Sequence, residues 1–465
     1  MPFPPDFGSV AALASDLDAS APPANFDYRF RRRDPPKYGK EALHSLAASM
    51  TAAPGRDSAT PAGYTYLGQF LLHDISFDVT PLPDGKASGQ LPTVRTPRFD
   101  LDSVYGRGVV EEPYLYDRYQ PYKMQLGSTS GPKPNDYDLP RTLEGFAIIP
   151  EPRNDENLIT GQLHVAWLHF HNRMVDLLTK TTQTAPKDLF EAARQEVIDH
   201  YQRMIRYDYL PKSVDESVIL SGNYANTVRR NDKLFIPIEF SHGAFRFGHA
   251  MIRDTYDYNR IFEEATFSQL MLFSGSHRSS NPFPLPENWV IDWRRFFPFP
   301  ESGVTGSQAR KISPAFAPSL AALDVPSPGM RNLAEIDLTR AYEYGVCSGE
   351  EAAAALKKTV LTGEQVGLPE EFAGSTPLLY YVLREAELLG NGERLGPVGG
   401  QIVCDTILGL LEADPLSVVN DTKWTPKIPV TLQAWWPWPT SLRSRMSSTR
   451  WARSESGQRT AFAGA

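Results

Sequence analysis

Proline decides where this chain can be helical before any other residue type is considered. Forty prolines and 33 glycines are distributed over 465 residues, and a proline inside a helix deletes a backbone hydrogen bond and clashes with the preceding turn. Regular segments are confined to the intervals between these residues, and long loops must join them. The prolines and glycines do not form low-complexity tracts. Within the intervals apolar residues recur at helical spacing, so helices are expected over roughly 61–74, 159–182, 186–208, 242–252, 331–343, 348–360, 376–388 and 396–413. "GQLHVAWLHFHNRMVDLLTK" ends on a basic residue, and Ser348 stands ahead of Glu350 and Glu351 as an N-cap should.

Strand signals such as "KLFIPIEF" are short and scattered, with no strand–helix alternation that would suggest a doubly wound sheet. The chain reads as mainly α and without internal repeats. One domain is expected over 59–430, after a loop-rich extension at 1–58 and before an atypical tail at 431–465. That tail lacks amphipathic period, yet five of the eight tryptophans lie from Trp424 onward. Disordered segments are normally poor in aromatics, so a reading-frame error in the source gene is a second account of it.

A net charge of -8 and a pI near 5.7 argue against a nucleic-acid surface, which needs a basic stripe. Cys347 and Cys404 are too few for a disulfide framework and lack zinc-site spacing. The N-terminal stretch has no basic region followed by an apolar core, and no apolar run has membrane-spanning length. A soluble, cytoplasmic protein is expected, with leaderless export as the alternative; the oligomeric state is not legible.

In "GQFLLHDISFD", residues 68–78, three polar side chains interrupt an apolar segment. On a helix Gln69 and His73 share a face, and Asp74 is rotated about 100° from His73. Taken alone, this is a hydrogen-bonded patch at the edge of a core. Read together, "GQFLLHD", "TPRFDLDSVYG", "EPRNDEN", "FRFGH" and "LGPVGGQIV" follow the order and approximate separations found in the peroxidase-cyclooxygenase superfamily, the animal-type haem peroxidases. "LHFHNRM" and "RYDYLP" resemble the helices between them. The resemblance extends over roughly residues 60 to 415 and implies a single-domain, mainly α fold with long loops.

The resemblance implies that His73 is the distal acid-base group, with Gln69 one turn back, and that Arg153 of "EPRNDEN" is the distal cation. A neutral imidazole can take the proton from the inner oxygen of a peroxide and return it to the outer one. A fixed guanidinium stabilises charge on the departing oxygen and disfavours protonation of the base. His249 of "FRFGH" resembles the iron ligand on the opposite side. His164, His169 and His171 on one expected helix are competitors, and His242, seven residues before His249, is the nearest rival.

Asp337 in "EIDLTRAYEYG" stands where the family commonly has the asparagine that receives the proximal imidazole. A carboxylate there would add imidazolate character and favour ferric iron. Arg340 and Arg246 resemble contacts to the haem propionates. The family's calcium loop resembles "TPRFDLDSVYG", implying Thr96, the Arg98 carbonyl, Asp100 and Asp102 as ligands, with Asp74 arriving from the distal helix. Hard oxygen donors suit calcium. Asp102 replaces a frequent serine and adds charge. Glu156 matches a position that some relatives esterify to haem, whereas the distal counterpart, Leu72, cannot form an ester, so at most one ester link is implied. Asn157 replaces a methionine that some relatives use for a sulfonium bond.

The expected activity is therefore that of a peroxidase binding haem b and calcium, reducing hydrogen peroxide and oxidising small organic or halide donors, with a place in the response to oxidative stress. A fatty-acid dioxygenase of the same superfamily is the first alternative. Those members carry a radical-forming tyrosine three residues before the proximal histidine, where this chain has Arg246; Tyr256 and Tyr258 lie elsewhere. A haem-free, calcium-stabilised binding module is the second.

Overall fold

The computed structural model describes residues 25–427 apart from 31–35, 53–54, 79–90, 94, 183, 186–187, 221–223, 225, 232, 276–283, 300–301, 324–330 and 422. The tail expected at 431–465 and the start of the N-terminal extension lie outside the described residues.

Among the described residues, eight α-helices have seven residues or more: α1 Lys40–Ala52, α2 Gly63–Ile75, α3 Leu158–Thr181, α4 Leu189–Met204, α5 Leu333–Glu343, α6 Gly349–Ala355, α7 Leu378–Gly390 and α8 Pro397–Ala413. Short strands accompany them: β1 Asn25–Asp27, β2 Asp57–Pro61, β3 Leu91–Pro92, β4 Arg229–Arg230, β5 Lys233–Pro237, β6 Thr255–Tyr256, β7 Ala265–Thr266 and β8 Gln308–Arg310. One sheet runs β3-β1-β5-β4, and β2–β8 and β6–β7 form pairs. The fold is mainly α, as the proline spacing and periodicity imply. No described helix is long and apolar enough to cross a membrane.

Four expectations need adjustment. Helix α1 falls within the segment expected to be loop-rich. Its Leu43, Leu46, Ala47 and Met50 are buried at helical spacing, and it packs on α5. The segment expected as a helix at 186–208 is α-helical only to Met204 and continues as a π-turn, Ile205–Tyr209. The segment at 242–252 is a 3-10 helix, Ala244–Met251, and α6 stops at Ala355, with Lys357 at a φ of 56°. The Ser348 cap is present: its hydroxyl receives the Glu351 N–H, and the Glu351 carboxylate receives the Ser348 N–H.

The 3-10 helix lies centrally, against α2, α7 and α8. Gly243 makes its entry possible, because a Cβ there would sit 2.5 Å from the Glu239 carbonyl oxygen and 2.8 Å from Leu378 Cδ2. On the other side, α3 packs on α2 and α4. The chain thereby sets α2 and the 3-10 helix side by side, although they are far apart in sequence.

Candidate active site

Helix α2 is apolar enough to be buried along most of its length, so its polar residues must find partners within the protein. His73 is 5% exposed, and its Nδ1 lies 2.9 Å from Asn154 Oδ1. Asn154 belongs to the short 3-10 helix Pro152–Asp155. Its amide nitrogen meets His164 Nδ1 of α3 at 3.0 Å. Burial, then the Arg153 charge, hold the His73 pKa down at about 3, with Glu151 partly opposing. The imidazole is thus neutral across the ordinary pH range, which is the form a base requires.

Arg153 is fixed from three directions. Its Nε donates to Glu151 Oε1 at 2.8 Å, and its Nη2 donates to the carbonyls of Ser76 and His73 at 2.6 and 3.1 Å. The guanidinium also stacks over Phe77 at 4.2 Å. Among the described residues Nη1 makes no hydrogen bond. Glu151 is fully buried and receives Arg95 as well, at 2.8 Å. Burial alone would raise its pKa, but Arg153 and Arg95 outweigh that and hold it well below the usual carboxylate range.

Gln69 faces the same region one turn before His73. Its Oε1 accepts from Thr160 Oγ1 at 3.0 Å and Asn157 Nδ2 at 3.2 Å, and its Nε2 donates to Glu156 at 3.2 Å. Asn157, at the methionine position, instead caps α3 by accepting the Thr160 N–H at 2.9 Å. Burial pushes the Glu156 carboxyl up to about 6, against the opposing charge of Arg153; Arg246 and His249 also act on it. Leu72 is partly buried against the core.

Across from α2, His249 Nδ1 lies 2.6 Å from Asp337 Oδ2 of α5. The His249 side chain is 25% exposed, and Gly248 beside it is open: a Cβ there would meet nothing within 4 Å. Arg246 donates through Nε to the Ser241 carbonyl at 2.8 Å, and burial lowers its pKa. Its charge acts on His73 and on Glu156. Arg340 reaches Asp78 at 3.5 Å, while its Nε is buried without a hydrogen-bond partner.

Each competing histidine has one or both ring nitrogens bonded to another partner. His242 is bonded at both, to Asp78 at 3.0 Å and Ser241 at 2.9 Å; burial draws its pKa down to about 4. His171 is bonded at both, to the Tyr105 hydroxyl and the Tyr122 carbonyl, each at 3.0 Å. His169 Nε2 bonds the Asp136 carbonyl at 2.7 Å, and His164 is the partner of Asn154. The tyrosines at 256 and 258 are buried; Tyr256 accepts the Arg253 N–H at 2.9 Å, and Tyr258 donates to the Thr266 carbonyl at 3.1 Å.

Asp74 leaves α2 on its other face and meets Asp100 and Asp102, with one oxygen from each within 4.8 Å of the others. Thr96 Oγ1 contacts Asp100 at 3.0 Å, and its backbone N–H donates to Asp102 at 3.0 Å. Arg98 is on the same turn with its side chain exposed, so only its backbone can serve a ligand here. Burial pushes the Asp74 pKa up to about 7, reinforced by Asp100, and burial also raises those of Asp100 and Asp102.

With this geometry established, the family can be assigned. A model of the animal haem peroxidase domain matches residues 90–346, more than half of the chain. The chain belongs to the animal haem peroxidase family. Peroxidase A of Dictyostelium discoideum superposes with a TM-score of 0.62 at 16% identity, over 89% of this chain and 93% of that one. A fatty acid alpha-dioxygenase of Oryza sativa superposes with a TM-score of 0.58 at 13% identity, over 88% and 84%. These likenesses show the peroxidase-cyclooxygenase fold. In sequence, the chain resembles the peroxidase mlt-7 of Caenorhabditis elegans, 36% identical over 104 residues, 22% of this chain and 14% of that protein. It also resembles a dual oxidase of Drosophila melanogaster, 27% identical over 110 residues, 23% of this chain and 7% of that protein.

Gln69, His73 and Asp74 precede the stretch matched to the haem peroxidase family and are joined to it through Glu156, Asn154 and the acidic cluster. The residues present fit a haem. His249 has one nitrogen committed to Asp337, beside the open space at Gly248. Arg340 has a buried N–H without a partner and is a cation suited to a propionate. The acidic cluster likewise fits calcium: the buried Asp74 is gathered with the partly buried Asp100 and Asp102, Arg95 lies 3.6 Å from Asp102, and Asp102 Oδ1 is buried without a hydrogen bond.

Sequence reasoning missed Glu151, Asp78 and the linkage of Asn154 with His164. Asp78 gathers His242, Arg340 and the Tyr344 hydroxyl, the last at 2.7 Å. Glu151 and Arg153 are neighbours in "EPRNDEN", a local signal that could have been read; Asp78 and His164 offered none.

Proposed function

We propose that this protein is a haem-dependent peroxidase that reduces hydrogen peroxide and oxidises small organic or halide donors. Its proposed resident groups are haem b, with at most one ester link through Glu156, and calcium held by Asp74, Thr96, the Arg98 carbonyl, Asp100 and Asp102. His249 would hold the iron through Nε2, Asp337 would anchor the ligand ring, and Arg340 and Arg246 would meet the propionates. Bound haem would supply the iron at which peroxide is cleaved and its oxidising equivalents retained.

The chain's own part is proton handling and charge. His73, neutral and bonded at Nδ1, has Nε2 to accept a proton from the peroxide oxygen nearer the iron and deliver it to the farther one. Arg153, immobilised by Glu151 and the end of α2, has Nη1 to stabilise charge developing on the departing oxygen. Gln69, clamped by three partners, fixes the face from which His73 works. Neither side chain needs to reorganise, which is the main electrostatic advantage of a preformed site.

The observation that favours peroxidase over dioxygenase is Arg246, three residues before His249 and bonded to the Ser241 carbonyl. Hydrogen abstraction from a lipid needs the radical oxygen beside the substrate carbon, and a misplacement of about 1 Å can cost about a hundredfold. The test compares peroxide-dependent oxidation of a phenol or halide with oxygen uptake on linoleate and palmitate. Donor turnover without fatty-acid oxygenation is expected. Fast, regiospecific hydroperoxide formation with weak donor oxidation would overturn the reading.

A further inference from the structure

We propose that Asn154 is a positioning residue that sets the proton arrangement of His73, and that His164 holds Asn154 in the required orientation. The proposal rests on the peroxidase reading, in which His73 is the base. It stands on three fully or nearly buried side chains in a row: His73, Asn154 and His164, at 5%, 0% and 0% exposure. The contacts are Nδ1···Oδ1 at 2.9 Å and Nδ2···Nδ1 at 3.0 Å.

A single amide between two imidazoles allows two self-consistent proton arrangements. With Oδ1 toward His73, the ring donates Nδ1–H and keeps its lone pair at Nε2, while Asn154 Nδ2 donates to the lone pair of His164 Nδ1. With the amide reversed, His73 accepts at Nδ1 and carries its proton at Nε2, where it cannot act as base. The first arrangement has a further property. After Nε2 takes a proton, the cationic ring still donates Nδ1–H to the same oxygen, so the contact survives both halves of the proton shuttle. The reversed amide would face the cation with its own N–H.

His164 completes the first arrangement when its Nδ1 carries the lone pair that receives the Asn154 amide. It lies on α3 beneath the Phe70 ring, the two centroids 6.5 Å apart at 69°, and burial keeps it neutral, its pKa drawn down to about 3. Its Nε2 is buried without a hydrogen-bond partner. Asn154 itself is fixed through its backbone N–H, which donates to the Glu151 carbonyl at 3.0 Å. Helices α2 and α3 are therefore joined through Asn154 by one continuous hydrogen-bond network.

The experiment uses the full chain labelled with 15N-histidine and loaded with zinc protoporphyrin, which is diamagnetic, so long-range proton–nitrogen spectra report each ring's tautomer. Nδ1–H is expected on His73 and Nε2–H on His164; Nε2–H on wild-type His73 would overturn the proposal. In the iron enzyme at pH 8, Asn154→Leu should slow reaction with hydrogen peroxide by about 10², the contribution of an acid-base group. Asn154→Asp, which keeps the acceptor oxygen, should restore most of that rate and turn His164 into an Nδ1–H donor. Equal rates in the Leu and Asp variants would reduce Asn154 to a structural tie and defeat the proposal. The tautomer spectrum is independent of turnover. Expected tautomers in a protein inert to peroxide would therefore defeat the peroxidase reading alone, and a reversed His73 tautomer alongside fast peroxide reduction would defeat the relay alone.

Discussion

Asp337 Oδ2 on α5 accepts the ring N–H of His249 across 2.6 Å, joining the 3-10 helix to a helix 88 residues further along the chain. The carboxylate makes that imidazole a stronger donor to whatever its other nitrogen binds.

Haem binding should depend on that pair and not on the neighbouring histidine. His249→Ala is expected to abolish stoichiometric haem uptake, whereas His242→Ala, whose ring is committed to Asp78 and Ser241, should retain the ferric spectrum. Asp337→Asn should keep haem and raise the ferric/ferrous potential in spectroelectrochemical titration, because the anionic partner that favours ferric iron is gone. An unchanged potential would remove Asp337 from this role.

Calcium should stabilise the fold and the active site together, since Asp74 is adjacent to His73 on α2. A ligand that binds only the native state adds about 2.7 kcal/mol at a hundredfold excess over its Kd. Chelation should lower the Tm of the wild type and hardly affect an Asp100→Ala, Asp102→Ala double variant. If both respond equally, the cation lies elsewhere.

Helix α8 begins at Gly396 without a side-chain cap of its own, and Glu385 of α7 serves instead, accepting from Val398 and Gly399 N–H at 3.0 and 3.1 Å. Burial pushes that carboxyl up to about 7 from 4.5, despite those bonds. A raised folded-state pKa in an acid means that the unfolded chain loses its proton first. The contribution is complete below about pH 4.5 and declines as the pH rises toward about 7. Glu385→Gln should remove this slope, so the variant gains on wild type by up to about 3 kcal/mol across that window in urea melts at stepped pH. Parallel stability curves would show that Glu385 does not titrate there.

Gly68 of α2 lies against Tyr209 of the π-turn, and a Cβ at that position would come 2.5 Å from the tyrosine hydroxyl. Tyr209 is buried and has little room to retreat. Gly68→Ala should cost about 1–3 kcal/mol, as overpacking does, and Tyr209→Phe should recover part of it in a double-mutant cycle. Full additivity of the two changes would mean that the contact is not made.

Much of the architecture and the outline of the site were legible in the residue order. Helical period and proline spacing located α2, α3, α5, α7 and α8, and the same period put Gln69 and His73 on one face with Asp74 on another. Even the cap at Ser348 could be read, because the interaction closes within three residues. The tertiary structure alone decided that Asn154 stands between His73 and His164, that Asp78 occupies a nitrogen of the rival His242, and that Gly68 is where α2 meets Tyr209 of the π-turn. It also made the segment around His249 a 3-10 helix, where periodicity had suggested an α-helix. The physical reason is range. Period and capping are set by neighbours a turn away, whereas partners such as His73 and Asn154, 81 residues apart, are chosen by how helices pack. A buried polar group signals only that it must have a partner, and the fold determines which one.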